Sequence, residues 1–414
     1  AVFAGYGITA PEFQYDDYKG LDVKGRVVVL LAGEPASQDP AFFDGPRDTK
    51  YASATAKAAL ARAKGAVGVI GIRPGTQDLA AWDRLGGFLG AARVTLPESE
   101  SRAELPQVTL RPEAAPRLFE GAPESWADVV RDAPAGKVRS FALPRKVSLE
   151  VAVEQAPLPG SNVAGLLEGS DPELKKQVVL YTAHYDHVGQ RSGGQGDTIY
   201  NGAWDNASGT AEVLEIARAF SAMQPRPRRS ILFLLVTGEE KGLLGSRYYT
   251  EHPLVPLEDT AADINMDMTE IFGIPKEIVA QGAERNTLLL SAKAVARELG
   301  LKLGEDPTPE LHVFNRSDQF SFARVGVPCV FMRWANEYED LAPDEAKARA
   351  KEKLDKIYHQ VTDGFDPSWS WEGMRRHAQQ AFLLGVHVAA QPEMPRWNPG
   401  DEFDHPRGVA PSGQ

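Results

Sequence analysis

His184-Tyr185-Asp186 follows an apolar run at 177–183 that reads as a buried strand. A neutral imidazole in that place is a good metal ligand, and a nearby carboxylate can hold its second ring nitrogen. A loop-end histidine beside a turn aspartate would give the same letters. Asp205 lies in Asn201-Gly202-Ala203-Trp204-Asp205-Asn206-Ala207-Ser208-Gly209, just before a helix, where capping alone can explain it. Gly238-Glu239-Glu240 closes the most apolar strand candidate of the chain, 230–237. Two adjacent carboxylates repel each other, and a nearby cation stabilises both. One glutamate can then bind a metal while the other accepts a proton from metal-bound water. Asp267, in Asn265-Met266-Asp267-Met268, puts a charge in an apolar stretch, where it faces water, is paired or binds a cation. Tyr358-His359 adds a hydrogen-bond donor for a developing oxyanion and a further imidazole.

Each motif alone has an ordinary structural explanation, but together they form a set. His184, Asp205, Glu240, Asp267 and His359 supply two histidines and three carboxylates, with Glu239 left as a base. That is what a hydrolase with two zinc ions about 3.5–4 Å apart requires. The single cysteine, Cys329, excludes an intrachain disulfide framework and a cysteine-built zinc site. It lies in an apolar strand and reads as a buried, inert thiol. Catalytic zinc commonly uses histidine and carboxylate instead.

The elements that must position these residues are those of two regions. A chain of 414 residues is long for one domain and suits two. From residue 1 to 143, a strand at 25–31, an alanine-rich helix at 52–64 closed by Gly65, and a strand at 65–71 suggest a crossover unit, with a further short strand at 106–110. Residues 86–104 read as irregular. From 144 to 414, strands at 148–153, 177–183, 230–237, 262–268 and 327–332 alternate with helices at 209–221, 286–299 and 375–390. Ser208 is the candidate N-cap of the first of these helices. The expected fold class is α/β with a mixed, largely parallel sheet flanked by helices, plus a smaller α/β domain. In such sheets ligands gather outside the carboxyl ends of strands, and four of the six chemical residues lie there or in a loop leading from one.

Charge narrows the partners. Lys plus Arg number 45 and Asp plus Glu 57, a net −12, which disfavours binding to nucleic-acid phosphates. No apolar run approaches the roughly 18 residues of a membrane span. The chain opens at Ala1 without methionine or a signal-like segment, so it reads as a mature product or a fragment.

The order His-x-Asp, Asp-Asn-x-Ser-Gly, Glu-Glu, Asn-x-Asp-Met and Tyr-His resembles that of the two-zinc aminopeptidases of peptidase family M28. Ser161-Asn162-Val163-Ala164-Gly165, Arg316-Ser317-Asp318, Gly326-Val327-Pro328 and Pro395-Arg396-Trp397 extend the resemblance over nearly all of 145–400. Residues 3–8 and 20–31 resemble the protease-associated domain often inserted in that family. The resemblance implies that His184 and Asp267 bind one Zn2+, Glu240 and His359 the other, and Asp205 both. It implies Glu239 as general base and then acid, Asp186 as the residue orienting His184, and Tyr358 as a stabiliser of the tetrahedral intermediate. It implies a cis peptide at Asp205-Asn206. The reaction implied is removal of N-terminal residues from peptides by a hydroxide that two metals activate, in a secreted or periplasmic protein. Members with such an insert usually carry a further peptidase segment before it, whereas this chain begins almost at the insert. Gln319 stands where a histidine is frequent, outside the ligand set and with little expected effect.

Arg316 and Asn315 are candidates for the substrate pocket, with Arg316 either binding a substrate carboxylate or pairing with Asp318, the latter favoured. His187 reads as a solvated loop residue, and His312 as a neighbour of the pocket loop. Arg47, Lys50 and Arg73 read as ordinary surface charge, or as cations of a lid. Competing readings are a glutaminyl-cyclase-like relative using one zinc, a carboxypeptidase, for which Arg316 and Arg333 are the scattered basic candidates, and a non-catalytic receptor or binding protein. Side-chain preference and oligomeric state are left open.

Overall fold

The computed structural model describes residues 1–35, 37, 39, 41–43, 45, 49–74, 93–97, 105–150, 152, 154, 156–191, 195–311 and 313–409, the side chains of Lys50, Ala135 and Glu310 excepted. The described residues within Ala1–Arg93 and Pro97–Pro157 form one compact unit, and those within Val94–Leu96 and Leu158–Ser412 form a second. This division falls beyond the 143/144 boundary read from the sequence. Leu143 is buried in the first unit's core, and Val147 and Leu149 pack against that core. Arg47 and His312 lie outside the described residues.

In the first unit, β1 (Val2–Phe3), β2 (Val27–Leu31), β3 (Gly68–Ile72), β4 (Gln107–Leu110) and β5 (Phe141–Ala142) form a sheet in the order β4-β3-β2-β1-β5. Only β5 runs antiparallel to its neighbour. Helix α1 (Ala54–Ala63) links β2 to β3 and is capped by the Ser53 hydroxyl, which accepts the Ala56 N–H. The crossover expected from the sequence is therefore present.

The second unit is built on seven strands: β6 (Val163–Leu167), β7 (Val178–His184), β8 (Ser230–Val236), β9 (Thr260–Met266), β10 (Glu277–Gln281), β11 (Lys302–Leu303) and β12 (Cys329–Arg333). Their order is β11-β10-β12-β9-β7-β8-β6. The four middle strands, β12, β9, β7 and β8, are mutually parallel, while β10 and β6 pair antiparallel with them. Strands β7 and β9 are buried at every residue, as a sheet covered on both faces demands. On one face, Val179 and Tyr181 join a core with Val213, Ile216 and Phe220 of α2 (Gly209–Ala222), Leu288 and Val295 of α4 (Leu288–Leu299), and Leu384 and Val388 of α6 (Trp371–Ala390). On the other, Val178 and Leu180 meet Leu232, Leu234, Phe322 and Tyr249 of α3 (Leu244–Glu251). Helix α5 (Pro343–Lys356) leads toward Tyr358 and His359.

Two expectations need correction. No strand spans 148–153 among the described residues. Ser208 does not cap α2 with its side chain: it is already helical, and its hydroxyl donates to the Trp204 carbonyl at 2.6 Å.

Candidate metal centre and active site

Register brings the chemical residues together. Val236 of β8 pairs with His184 of β7, Asn265 of β9 pairs with Thr182, and Met266 pairs with Met332 of β12. His184 ends β7, Asp267 follows β9, Glu239 and Glu240 follow β8, and Arg333 ends β12. All sit at the carboxyl edge of the parallel core.

Asp205 sits on a backbone held by side-chain hydrogen bonds. Asp205 and Asn206 interrupt the turn at 203–208 with non-helical backbone, and their peptide bond is cis, as expected. The Asn206 side chain donates to the Met266 carbonyl at 2.9 Å and accepts from Met268 N–H at 3.2 Å, so it grips the backbone on both sides of Asp267. The same oxygen accepts Gly209 N–H at 2.9 Å, the capping bond that Ser208 does not make. Only glycine fits at 209: a Cβ there would lie 2.3 Å from both Asn206 Oδ1 and the Met266 carbonyl. The Asp-Asn-x-Ser-Gly spacing is thus a clamp between α2 and β9.

Asp205 offers one oxygen to each histidine. Its Oδ1 lies 3.2 Å from His184 Nε2, and its Oδ2 lies 3.2 Å from His359 Nε2. His184 Nε2 is also 3.3 Å from Asp267 Oδ1, and His359 Nε2 is 3.0 Å from Glu240 Oε2. Glu239 joins His184 and Asp267 in one group of converging donor atoms, and His187, Asp205 and Glu240 form a second. The set is nitrogen and oxygen only, which suits a borderline divalent cation.

Surrounding groups fix each donor. His184 Nδ1 donates to the Asp186 main-chain carbonyl at 3.1 Å, which directs the Nε2 lone pair at the carboxylates. The Asp186 carboxylate is 3.8 Å from that ring and instead accepts Glu239 N–H at 3.3 Å. Ser317 donates to Asp267 Oδ2 at 2.6 Å, Asn265 donates to Ser317 at 2.8 Å, and Gln319 accepts from Asn265 at 2.7 Å. Gln319, outside the ligands, therefore supports one at three removes.

Burial and neighbouring charges shift the protonation of these groups in different directions. Burial would push Asp205 up, but hydrogen bonds from His184 and His359 outweigh it and hold it well below the carboxylate range. Burial would depress His359, yet Asp205 and Glu240 hold it up at about 9. Glu239 is raised by its own burial, and the charges of Asp318, Asp267 and Glu240 add to this.

His187 departs from its solvated reading. Its side chain is 6% exposed and its Nδ1 lies 2.8 Å from Glu240 Oε1. Neither of those atoms has an aligned hydrogen-bond partner among the described residues, so a shared cation would satisfy both. The expected Arg316–Asp318 pair is also absent among the described residues. Asp318 is fully buried with neither oxygen hydrogen-bonded, whereas Arg316 is exposed and faces a pocket. That pocket is lined by Asp205, Glu239, Asp267, Arg333, Tyr358 and His359, among others. The Tyr358 ring stacks on His359 at 3.9 Å. Asn315 is exposed on the turn Val313–Arg316 and does not line the pocket. Cys329 is buried, as expected.

The model of Peptidase family M28 matches residues 162–384, just over half of the chain. The chain belongs to peptidase family M28. Among curated relatives of this M28 chain, aminopeptidase YwaD of Bacillus subtilis is 27% identical over 198 residues, 45% of this chain and 40% of YwaD. Aminopeptidase NAALADL1 of Mus musculus is 37% identical over 115 residues, 26% of this chain and 14% of that protein. The chain thus spans less than half the length of either relative. A solved aminopeptidase from Aneurinibacillus sp. strain AM-1 aligns with TM-score 0.47 and 20% identity, covering 98% of this chain and 77% of that one. Among the described residues, no helix is long and apolar enough to cross a membrane.

Proposed function

We propose that this M28 chain is a zinc-dependent aminopeptidase with two Zn2+ ions. The observation that carries the reading is Asp205, whose two oxygens each face a different histidine at 3.2 Å. One zinc would be held by His184 and Asp267, the other by Glu240 and His359, with His187 in reach, and Asp205 would serve both. Bound zinc supplies a nucleophile at neutral pH and polarises a carbonyl. The chain's own residues do the rest. Glu239, half-buried beside His184 and Asp267, takes a proton from the attacking water and returns it to the leaving amine. Its raised affinity for a proton suits the second half of that task, and nearby positive charge restores the first. The Tyr358 hydroxyl would donate to the carbonyl oxygen as charge develops, a role that its place in the pocket lining supports. The surplus of carboxylates suits a substrate's free α-ammonium, which favours cleavage at the amino end.

The names of the matched relatives support the same class. The first unit's β2–α1–β3 crossover supports a protease-associated-like domain, and placement outside the cytoplasm follows from the family resemblance alone.

The test is metal analysis and hydrolysis of a panel of aminoacyl anilides on one sample, with and without Glu239→Gln. The expected result is two zinc ions per chain in both proteins, with kcat lowered about 10²–10⁴-fold in the variant. One zinc per chain would favour a cyclase-like relative, and no bound metal would overturn the ligand assignment.

A further inference from the structure

The pocket beside the metal ligands contains two arginines that the sequence separates. Arg316 ends the turn Val313–Arg316, and Arg333 ends β12, one residue beyond the Met266–Met332 register pair. Both line the same pocket, with Glu239, Tyr358 and His359.

Arg333 is 1% exposed, yet it is poorly provided for. Its Nη2 donates to Thr308 Oγ1 at 2.8 Å, while Nε and Nη1 have no hydrogen-bond partner. Among the described residues, no carboxylate lies within ion-pairing distance of it. A buried guanidinium is costly unless it is paired, and unfilled N–H groups add to that cost. The group is held by packing instead: its guanidinium carbon lies 4.1 Å from the Trp334 ring centroid and 4.8 Å from that of Phe331. Aromatic rings and one threonine fix the planar fork, and the carboxylates of Asp306 and Asp267 act on it only through space, leaving Nε and Nη1 open to an acceptor. Arg316 likewise makes no hydrogen bond or ion pair among the described residues. A carboxylate is the planar acceptor that such a fork takes in two parallel bonds, and a peptide substrate carries carboxylates at its acidic side chains and its terminus.

We propose that Arg316 and Arg333 form a carboxylate-reading wall of this pocket, and that the peptides cleaved here carry a carboxylate next to the scissile bond. This rests on the peptidase reading. The carboxylate comes from the side chain of an N-terminal Asp or Glu, or from the free terminus of a dipeptide.

The experiment uses the zinc-loaded full chain. Leucine anilide tests hydrolysis without any carboxylate. Glutamyl against glutaminyl anilide tests the side-chain source, and Leu-Ala against Leu-Ala amide tests the terminal one. In at least one pair, kcat/KM for the carboxylate member is expected to exceed its amide counterpart by about tenfold or more, mostly through KM. Arg316→Gln and Arg333→Lys should each collapse that ratio. Arg316 is exposed, so its variant keeps the test valid if the Arg333 variant does not fold. Ratios near one in the unsubstituted chain, or ratios unchanged in Arg316→Gln and in a folded Arg333→Lys, would overturn the inference. If no substrate is cleaved, the peptidase reading fails by itself. Calorimetric titration with glutarate and glutaramide then decides the wall: glutarate binding that Arg316→Gln weakens supports it, and equal or absent binding overturns it.

Discussion

Asp363 accepts the backbone N–H of Asp205 at 3.1 Å with one oxygen and that of Trp204 at 2.8 Å with the other. The Asp205 carboxylate thus projects from a main chain that a second, buried carboxylate holds in place. Outer partners of this kind set the orientation of a ligand. Asp363→Ala should weaken metal binding about 10–100-fold, read by competition with a chromogenic chelator. Unchanged affinity would mean that the turn at 203–208 is rigid without it.

Asp205 and His359 should fail differently. Asp205 faces both histidines, so on the two-zinc reading Asp205→Ala is expected to bind neither ion tightly. His359→Ala removes a donor from one half only, and should retain one ion per chain. Metal content after gel filtration distinguishes the two. Equal retention in both variants would argue against a shared carboxylate.

Metal removal should lower stability. Without a cation, the carboxylates of Asp205, Glu240, Glu239 and Asp267 crowd one region, and the histidines among them and the two arginines of the pocket wall offset that charge only in part. A ligand present at 1,000 times its Kd contributes about 4 kcal/mol to the folded state. A chelator-treated sample should therefore show a clear fall in thermal midpoint, reversed by adding back zinc. No fall would mean that the ions do not bind preferentially to the folded chain.

Asp17 gives the first unit a pH dependence of its own. It is buried, accepts Ile8 N–H at 3.0 Å, and is pushed by burial from 3.8 up to about 6. The folded state therefore keeps a proton that the unfolded chain has lost between about pH 4 and 6. Stability is greatest below that window and falls as pH rises through it, by roughly 3 kcal/mol at most. Asp17→Asn should flatten this slope, followed by hydrogen exchange of the strand Val27–Leu31 with intrinsic rates corrected. A slope unchanged in the variant would assign it to another group.

Gly209→Ala should disrupt the clamp. The new methyl would lie 2.3 Å from two oxygens, one of them backbone, so α2 or β9 must shift. Loss of about 1–3 kcal/mol of stability is expected, measured by denaturant unfolding, together with weaker metal binding. A neutral substitution would show that Asn206 can move without losing its grip on the backbone around Asp267.

How much of this was legible depended on whether the signal was local. The strands carrying His184, Glu239 and Asp267 announced themselves as apolar runs ending in charge, because burial on both faces leaves no polar alternation to confuse the reading. The His187 placement was not legible. Its burial depends on the chain turning back so that Gly202, at φ +64, lies against its ring, where a Cβ would fall 2.7 Å away. Asp363 was invisible for a similar reason: its partners are main-chain N–H groups 158 and 159 residues distant, which no spacing rule encodes. The Arg316–Asp318 pairing failed because proximity in sequence says nothing about which of two neighbours turns inward. Strand β10, which runs antiparallel to β12, passed unread although it is as long as that strand.

The parallel strand ends that converge on the site also set when it can exist. Its donors come from His184, Asp205, Glu240, Asp267 and His359, and the strands β7, β8 and β9 that carry or precede three of them must first pair in register. A chain with only part of that sheet offers scattered single ligands, each weak. On the two-zinc reading, stoichiometric uptake of metal would follow the assembly of that sheet and would report that the domain had finished folding.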